Sequence, residues 1–479
     1  MISLIVSILV LIVGYMVMSK VCERIFGADR NRATPSKTMA DGVDFVPLPL
    51  WKIFLIQFLN IAGLGPIFGA VAGAMWGPVA FVWIVLGTLF AGGVHDYFSG
   101  MLSVKHKGEN ITEISGRYLG NWVKPFMAVF SVVLLVMVGT VFIMGPAKIL
   151  VGISGGDTLV WVIIIIVYYI LSTILPIDKL IGRIYPLFGV ALLFMAFGIL
   201  FMMFYNNVTI PEITFANLRN MHYNGESFPI FPFVFVTIAC GAISGFHATQ
   251  SPLMARCMTN ERQGRSVFFG AMVTEGIVAL IWAAISMSFF GGVDLLNSSM
   301  AASGGNAALV VNQVSNSLLG KIGGILAILG VVAAPITSGD TAFRSARLII
   351  ADLFSFKQGR VVNRIIISAP LFFIAIILLN MDFAVIWRYF AWTNQTLATV
   401  VLWTVTCYLI SENKFYWISL IPAVFMTAVV TTYILVAPEG FSLPVGISQS
   451  AGVLTSFALF MVTMRWIYKR KKTPVISIT

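Results

Sequence analysis

The sequence predicts an all-α polytopic membrane protein with about 13 transmembrane helices and a core of two inverted five-helix repeats. Three observations predict it. First, 59% of the 479 residues are hydrophobic and only 10% are charged, far below the roughly 25% charged residues of soluble domains. With 13% aromatics the composition also excludes a disordered chain. Second, the apolar residues form thirteen continuous runs, not the period-two alternation of an outer-membrane barrel. Third, the basic residues are asymmetric. Threading the runs alternately from an outside N-terminus places all but four of the 30 Lys and Arg on one side, which the positive-inside rule makes cytoplasmic. The four exceptions are Lys148, Arg219, Lys321 and Arg388. The net charge of +11 is therefore a topology signal, and no nucleic-acid partner is expected.

In chain order, the first run, 2–18, lacks a basic region before it and is followed by Lys20, Arg24, Arg30 and Arg32. It reads as a retained anchor, not a cleaved signal. Runs follow at 51–75, 78–104, 124–151, 158–175 and 184–206, then at 229–251, 266–290, 321–350, 364–380 and 384–410, and finally at 415–436 and 448–467. Between them, 301–319 is expected to form a short amphipathic helix on the outer surface. Cys22, Cys240, Cys257 and Cys407 are scattered, and four free thiols are expected.

The second and seventh runs are interrupted. The second contains Ala62-Gly63-Leu64-Gly65-Pro66, and the seventh contains Gly241–Pro252 with Ser244, His247, Thr249, Gln250 and Ser251. Opened backbone inside a membrane is tolerated only against protein or a cavity. Five helices separate the starts of these two runs, so they begin from opposite sides. That is the pattern of an inverted repeat whose broken helices frame a transporter site. The organisation expected is an anchor and cytoplasmic loop at 1–50, a first repeat at 51–206, an extracellular loop at 207–228, a second repeat at 229–411, and two extra helices with a basic tail at 412–479.

The carbonyls of Ala62–Gly65 are candidate cation ligands. Freed N–H groups and a helix starting near Pro66 suit an anionic carboxylate. The expected substrate contacts are Asn60, Gly63, Gly65, Pro66, Ser244, Gly245, His247, Gln250 and Asn394. Ionisable residues inside spans default to functional roles. His95, Asp96, Glu275 and Asp340 are the ion-coupling candidates, with Asp340 also able to pair with Arg344 one turn on. Arg388 is expected at an interface or paired with Asp382. The cluster Trp392-Thr393-Asn394-Gln395-Thr396 needs partners, and Trp387, Tyr389 and Trp392 suit either an outer gate or an interfacial belt.

At these residues the chain resembles the carbon starvation protein A family. The stretches that carry it are DGVDFVPLP (41–49), NIAGLGPIFG (60–69), FAGGVHD (90–96), GFHATQSPLMARC (245–257), TAFRSARL (341–348) and RYFAWTNQTLA (388–398). The resemblance implies a cytoplasmic (inner) membrane importer of peptides or pyruvate, driven by an ion gradient. It also implies similarity to the amino acid–polyamine–organocation superfamily, with its leucine-transporter-like five-plus-five core. Sodium-coupled members of that superfamily hold one sodium between the first broken helix and an A-x-x-T-S stretch. That stretch falls here on Ala334, Thr337 and Ser338. With Ala62 and Gly65 these are the expected sodium ligands, and the coupling ion is a proton or sodium. No other cofactor is expected. The partners expected are a small-molecule substrate and membrane lipid.

A phosphate loop and a TVGYG filter are absent from the sequence, which disfavours an ATP-driven pump and a potassium channel. Ser244 and His247 leave an intramembrane hydrolase as the alternative, and a non-transporting sensor as a third reading.

Overall fold

The computed structural model describes residues 1–472 apart from 43, 155, 175 and 176. The side chains of residues 153, 174–184, 319, 321–329, 384 and 470–472 are outside that description. The side chains of Lys179, Arg183, Lys321, Arg470, Lys471 and Lys472 from the charge reading therefore lie outside the description.

Among the described residues every regular element is helical. The first helix, α1 (Ile2–Phe26), ends on Gly27 in the left-handed conformation, whose N–H returns to the Glu23 carbonyl. The second span is split into α2 (Leu50–Ile61) and α3 (Gly65–Trp76), which meet at 53°. Then come α4 (Val79–Lys105), the short amphipathic α5 (Ile111–Leu119), α6 (Val123–Ser154), α7 (Thr158–Ile174) and α8 (Ile177–Tyr205). The seventh span is likewise split, into α9 (Ile230–Thr237) and α10 (Gly245–Ala255). After it follow α11 (Glu261–Phe289), α12 (Val293–Ala302), α13 (Ala307–Ala327), α14 (Ala333–Leu353), α15 (Val361–Leu378), α16 (Phe383–Ser411), α17 (Trp417–Val436) and α18 (Val445–Lys472). The surface helix expected over 301–319 thus begins at Ala307, after the left-handed pair Gly304–Gly305.

Among the described residues eight helices are long and apolar enough to cross a membrane, or nine with the bent pair counted as one. The other four sequence segments coincide with α7, which is short, the broken α9–α10, the polar α16, and α13–α14, whose junction side chains are outside the description. Lipid-facing surface is plain on the outer helices. On α18, Val453, Leu454, Phe457 and Val462 are exposed, a face that water would not tolerate as a contiguous patch.

The two broken helices cross at their breaks. A Cβ on Gly65 would collide with the Cys240 side chain, and one on Gly69 would sit 2.9 Å from the Thr237 carbonyl oxygen. Only glycine permits this approach, as small residues do wherever membrane helices touch backbone to backbone. Around this crossing, α14 packs along α6 and α2, while α11 packs against α2 and α3. The enclosed core contains groups that membranes rarely hold: His95, Asp96, His247, Glu275, Asp340 and Arg344 all have 0% exposure.

Candidate functional site

The break between α9 and α10 frees backbone groups, and side chains from other helices meet several of them. The Trp83 indole donates to the Ile238 carbonyl at 3.0 Å. The Thr88 hydroxyl donates to the Gly241 carbonyl at 3.1 Å. The Gln395 amide donates to the Ile243 carbonyl at 3.0 Å. Asn394 Oδ1 accepts from the Phe246 N–H at 2.7 Å and from the Ser244 hydroxyl at 3.0 Å. The polar pair Asn394–Gln395 of α16 therefore staples the unwound segment and caps α10. Asn394 was expected to touch substrate, but its oxygen is occupied by the cap. Gly245, also expected to touch substrate, lies against α16 instead: a Cβ there would sit 2.5 Å from the Asn394 carbonyl and 2.6 Å from the Ala398 nitrogen.

The α10 helix brings His247 between two carboxylates. His95 Nδ1 lies 2.7 Å from Asp96 Oδ1. His247 Nδ1 lies 2.9 Å from Asp96 Oδ2. On the other side, His247 Nε2 is 3.4 Å from Glu275 Oε2. An ionised Asp96 only accepts, so both Nδ1 atoms must carry hydrogens. With one hydrogen on its ring, His247 would turn the Nε2 lone pair toward an oxygen of Glu275. Two lone pairs at that distance in a low-dielectric interior repel. A proton on Nε2 or on the Glu275 carboxyl would turn this contact into an attraction. Of the predicted ion-coupling residues, the fold unites His95, Asp96 and Glu275 through His247.

Asp340 is elsewhere. Its Oδ2 accepts from Ser172 at 2.5 Å and from Tyr185, joining α14 to α7 and α8. Arg344 donates to the Ser172 carbonyl at 2.9 Å and reaches Asp44 at 3.9 Å. The carboxylate and guanidinium, one helical turn apart, thus both bind Ser172 of α7, and each also reaches a partner outside α14.

The A-x-x-T-S stretch does face the first broken helix. Ser338 Oγ donates to the Leu59 carbonyl at 2.8 Å, and Thr337 Oγ1 to the Ala334 carbonyl at 2.7 Å. A Cβ on Gly63 would come within 3.3 Å of Ser338 Oγ. These oxygens are of the type that hold sodium. The carbonyl that faces α14 is Leu59, whereas Gly65 is turned to Cys240. Pro66 lies at the crossing, where its Cα is 3.8 Å from a Cβ built on Gly241. Gln250 also points at α14, donating to Ser345 at 3.3 Å.

Buried polar atoms without a hydrogen-bonding partner mark where a ligand would be welcomed. Both amide atoms of Asn60 and of Gln57, Trp282 Nε1, Ser286 Oγ and Gln250 Oε1 are in this state. Asn60 and Gln250 were expected; Gln57, Trp282 and Ser286 were missed. Their signal was spacing: Gln57 is three residues before Asn60, and Glu275, Trp282 and Ser286 recur at seven and four residues along one face of α11.

The carbon starvation protein CstA profile matches residues 1–160, 146–323 and 305–433. This chain belongs to the CstA family. An uncharacterized membrane protein of Haemophilus influenzae is 42% identical over 343 residues, covering 61% of this chain and 92% of its own. The peptide transporters CstA of Campylobacter jejuni and Escherichia coli are each 23% identical, covering 85% of this chain and 76% of theirs. In fold the chain resembles the Eremococcus coleocola manganese transporter, at TM-score 0.56 and 12% identity over 90% of this chain and 99% of that one. It also resembles MhsT in complex with L-phenylalanine, at TM-score 0.54 and 14% identity over 85% and 97%. The leucine-transporter-like fold class is thereby established.

On the charge-poor side this CstA-family chain opens a cleft of about 630 Å³. Its lining includes Phe68, Trp76, His222 and Trp387, with Lys148, Asp382, Arg388 and Glu439 as charged groups. Arg388 pairs with Glu439 at 3.3 Å, and Lys148 lies 4.7 Å over the Phe383 ring. The cleft does not reach His247. A chain of rings leads from its lining to α10: Phe68–Trp387 at 5.8 Å, Trp387–Phe390 at 5.5 Å, Phe390–Phe142 at 6.4 Å and Phe142–Phe246 at 6.2 Å. Of the aromatics considered for a gate, Trp387 sits in this chain, while the Trp392 indole donates to the Val430 carbonyl at 3.0 Å and ties α16 to α17.

Proposed function

We propose that this chain is a secondary transporter of the cytoplasmic membrane, with its N-terminus outside and C-terminus cytoplasmic. It imports a short peptide or a pyruvate-like carboxylate by alternating access, with protons as the coupling ion. The single observation that carries the proposal is His247 held between Asp96 and Glu275 beside the break in α9–α10. A proton held there makes the buried charges compatible, and its departure changes the balance at the hinge. Protonation and rocking of the broken helices are thus linked in one place.

The family relatives named peptide transporters support the substrate class. The cleft has the volume of an ordinary ligand pocket, about 300–1,000 Å³, and offers both signs of charge beside aromatic walls, which suits a zwitterionic peptide. The hydrolase alternative required Ser244 and His247 to pair, whereas the Ser244 hydroxyl donates to Asn394 and the His247 ring is held by Asp96.

Purified protein in liposomes tests this with labelled dipeptides and pyruvate under separate proton and sodium gradients. Accumulation above equilibrium under an inward proton gradient is expected. His247→Gln and Glu275→Gln should abolish that accumulation yet retain counterflow exchange of substrate. Accumulation driven by sodium alone would overturn proton coupling and move the assignment to the Leu59–Ser338 oxygens. Peptide cleavage without accumulation would overturn transport.

A further inference from the structure

We propose that Cys240, His247 and Glu275 form a binding site for one borderline-soft divalent transition-metal ion such as Zn²⁺, which locks the second broken helix in place. One ligand atom from each of the three residues lies within 4.8 Å of the others, and all three side chains are buried. A tetrahedral ion with bonds of about 2.0–2.3 Å holds its ligands about 3.3–3.8 Å apart, so closure requires each side chain to move inward by well under a rotamer change.

The donor types argue for the metal class. Sulfur, imidazole nitrogen and carboxylate oxygen together suit zinc-like ions over magnesium or calcium, which favour oxygen alone. A thiolate and a carboxylate cancel the two positive charges, so the occupied site is neutral and cheap to bury. Asp96 supplies the outer support. By accepting from Nδ1 of His247 at 2.9 Å it fixes the tautomer that presents Nε2 as a ligand, as carboxylates do behind metal-bound histidines. The Asn394 amide, 3.6 Å from Cys240 Sγ, points a donor at the sulfur and steadies its thiolate. Nε2 of His247 and both Glu275 oxygens have no well-formed hydrogen bond to give up.

The consequence is mechanical. Cys240 lies in the unwound segment, His247 on α10 and Glu275 on α11, so the ion ties the break and the helix that follows it to a neighbouring helix. It also takes the position of the proton between His247 and Glu275. Metal binding stands on this geometry alone; only the predicted block of uptake rests on the transport reading.

Full-length protein in detergent, titrated with Co²⁺, separates the two. One cobalt per chain is expected, with a thiolate-to-cobalt absorption band that Zn²⁺ abolishes. Cys240→Ser should remove the band and weaken binding by at least about 100-fold, and Asp96→Asn should weaken it by about 10- to 100-fold with the band retained. In liposomes Zn²⁺ should inhibit wild-type uptake, and Cys240→Ser uptake should resist it relative to its own zinc-free rate. Folded wild-type protein that shows no band, or an undiminished band in Cys240→Ser, overturns the site. Should Cys240→Ser misfold on size exclusion, Glu275→Gln is read in the same titration, where unchanged affinity overturns it. A chain that binds cobalt as described but moves no substrate refutes the transport reading and leaves the site intact.

Discussion

His222 shows how one residue's environment sets a measurable property. It sits in the connection between α8 and α9, with ring centroids 4.5 Å from Trp76, 4.8 Å from Tyr223 and 4.9 Å from Phe228. Burial among these rings pushes its pKa down to about 4. The folded state therefore prefers neutral imidazole, and the unfolded chain binds the extra proton between its ordinary value, about 6.5, and 4. Stability from this group is complete above pH 6.5 and is lost as pH falls through that window. Thermal melts of the purified protein should show a decline from pH 6.5 to 4 that flattens in His222→Gln; equal slopes would dismiss the effect. At the same scale, an isolated Glu275→Gln should leave the fold intact, because an amide can donate to Nε2 where the carboxylate needed a proton. Glu275→Ala, which leaves His247 facing a cavity, should be the more damaging to yield and melting temperature.

The elements are held open by specific staples. Unwinding Ile238–Ser244 inside a membrane would strand carbonyls at a cost of several kcal/mol each. Trp83, Thr88 and Gln395 supply donors to three of them, and Asn394 supplies the helix cap. Gln395→Ala should cost about 1–3 kcal/mol by leaving the Ile243 carbonyl unsatisfied, read as a drop in melting temperature with the spans still formed. Gly245→Ala should cost about 1–3 kcal/mol by overpacking against the α16 backbone, and Gly245→Val more. A tolerated valine there would contradict the close crossing of α10 and α16. The first break needs less, since it is shorter and Ser338 of α14 meets the Leu59 carbonyl directly.

At the scale of the whole molecule, charge decides orientation and aromatic closure decides access. The sequence threads the basic connections to one side, and the topology proposed from this is testable without any activity. In intact cells an impermeant thiol reagent should label Glu226→Cys, on the exposed 207–228 connection, and should reach Lys107→Cys only after permeabilisation. The reverse pattern would invert the proposed orientation. The Phe68–Trp387–Phe390–Phe142–Phe246 chain runs from the cleft lining to the residue before His247. Under the proposed transport, opening that chain is the motion that would admit a substrate from the cleft. Trp387→Ala should accordingly raise the rate of leak or exchange and weaken the gradient maintained across the liposome membrane.

Hydrophobic runs, their number, the break motifs and the charge bias determined the membrane class, the helical fold and the broken pair from the sequence alone, because each depends on local composition and spacing. Asp96, His247 and Glu275 were legible as unusual residues in an apolar setting, but not as neighbours. Their union depends on α4, α10 and α11 meeting at one depth, at separations of 151 residues in the case of Asp96 and His247. Asn394 and Asp340 were legible as polar groups in need of partners, and tertiary structure decided which: a helix cap for one, Ser172 and Tyr185 for the other. Cys240 carried no signal of its own, since a lone cysteine in an apolar run reads as packing. Only the unwound turn and the packing of α11 beside it bring its sulfur to His247 and Glu275. Sequence spacing governs what one helix can present, while the meeting of helices far apart in the chain is set by packing.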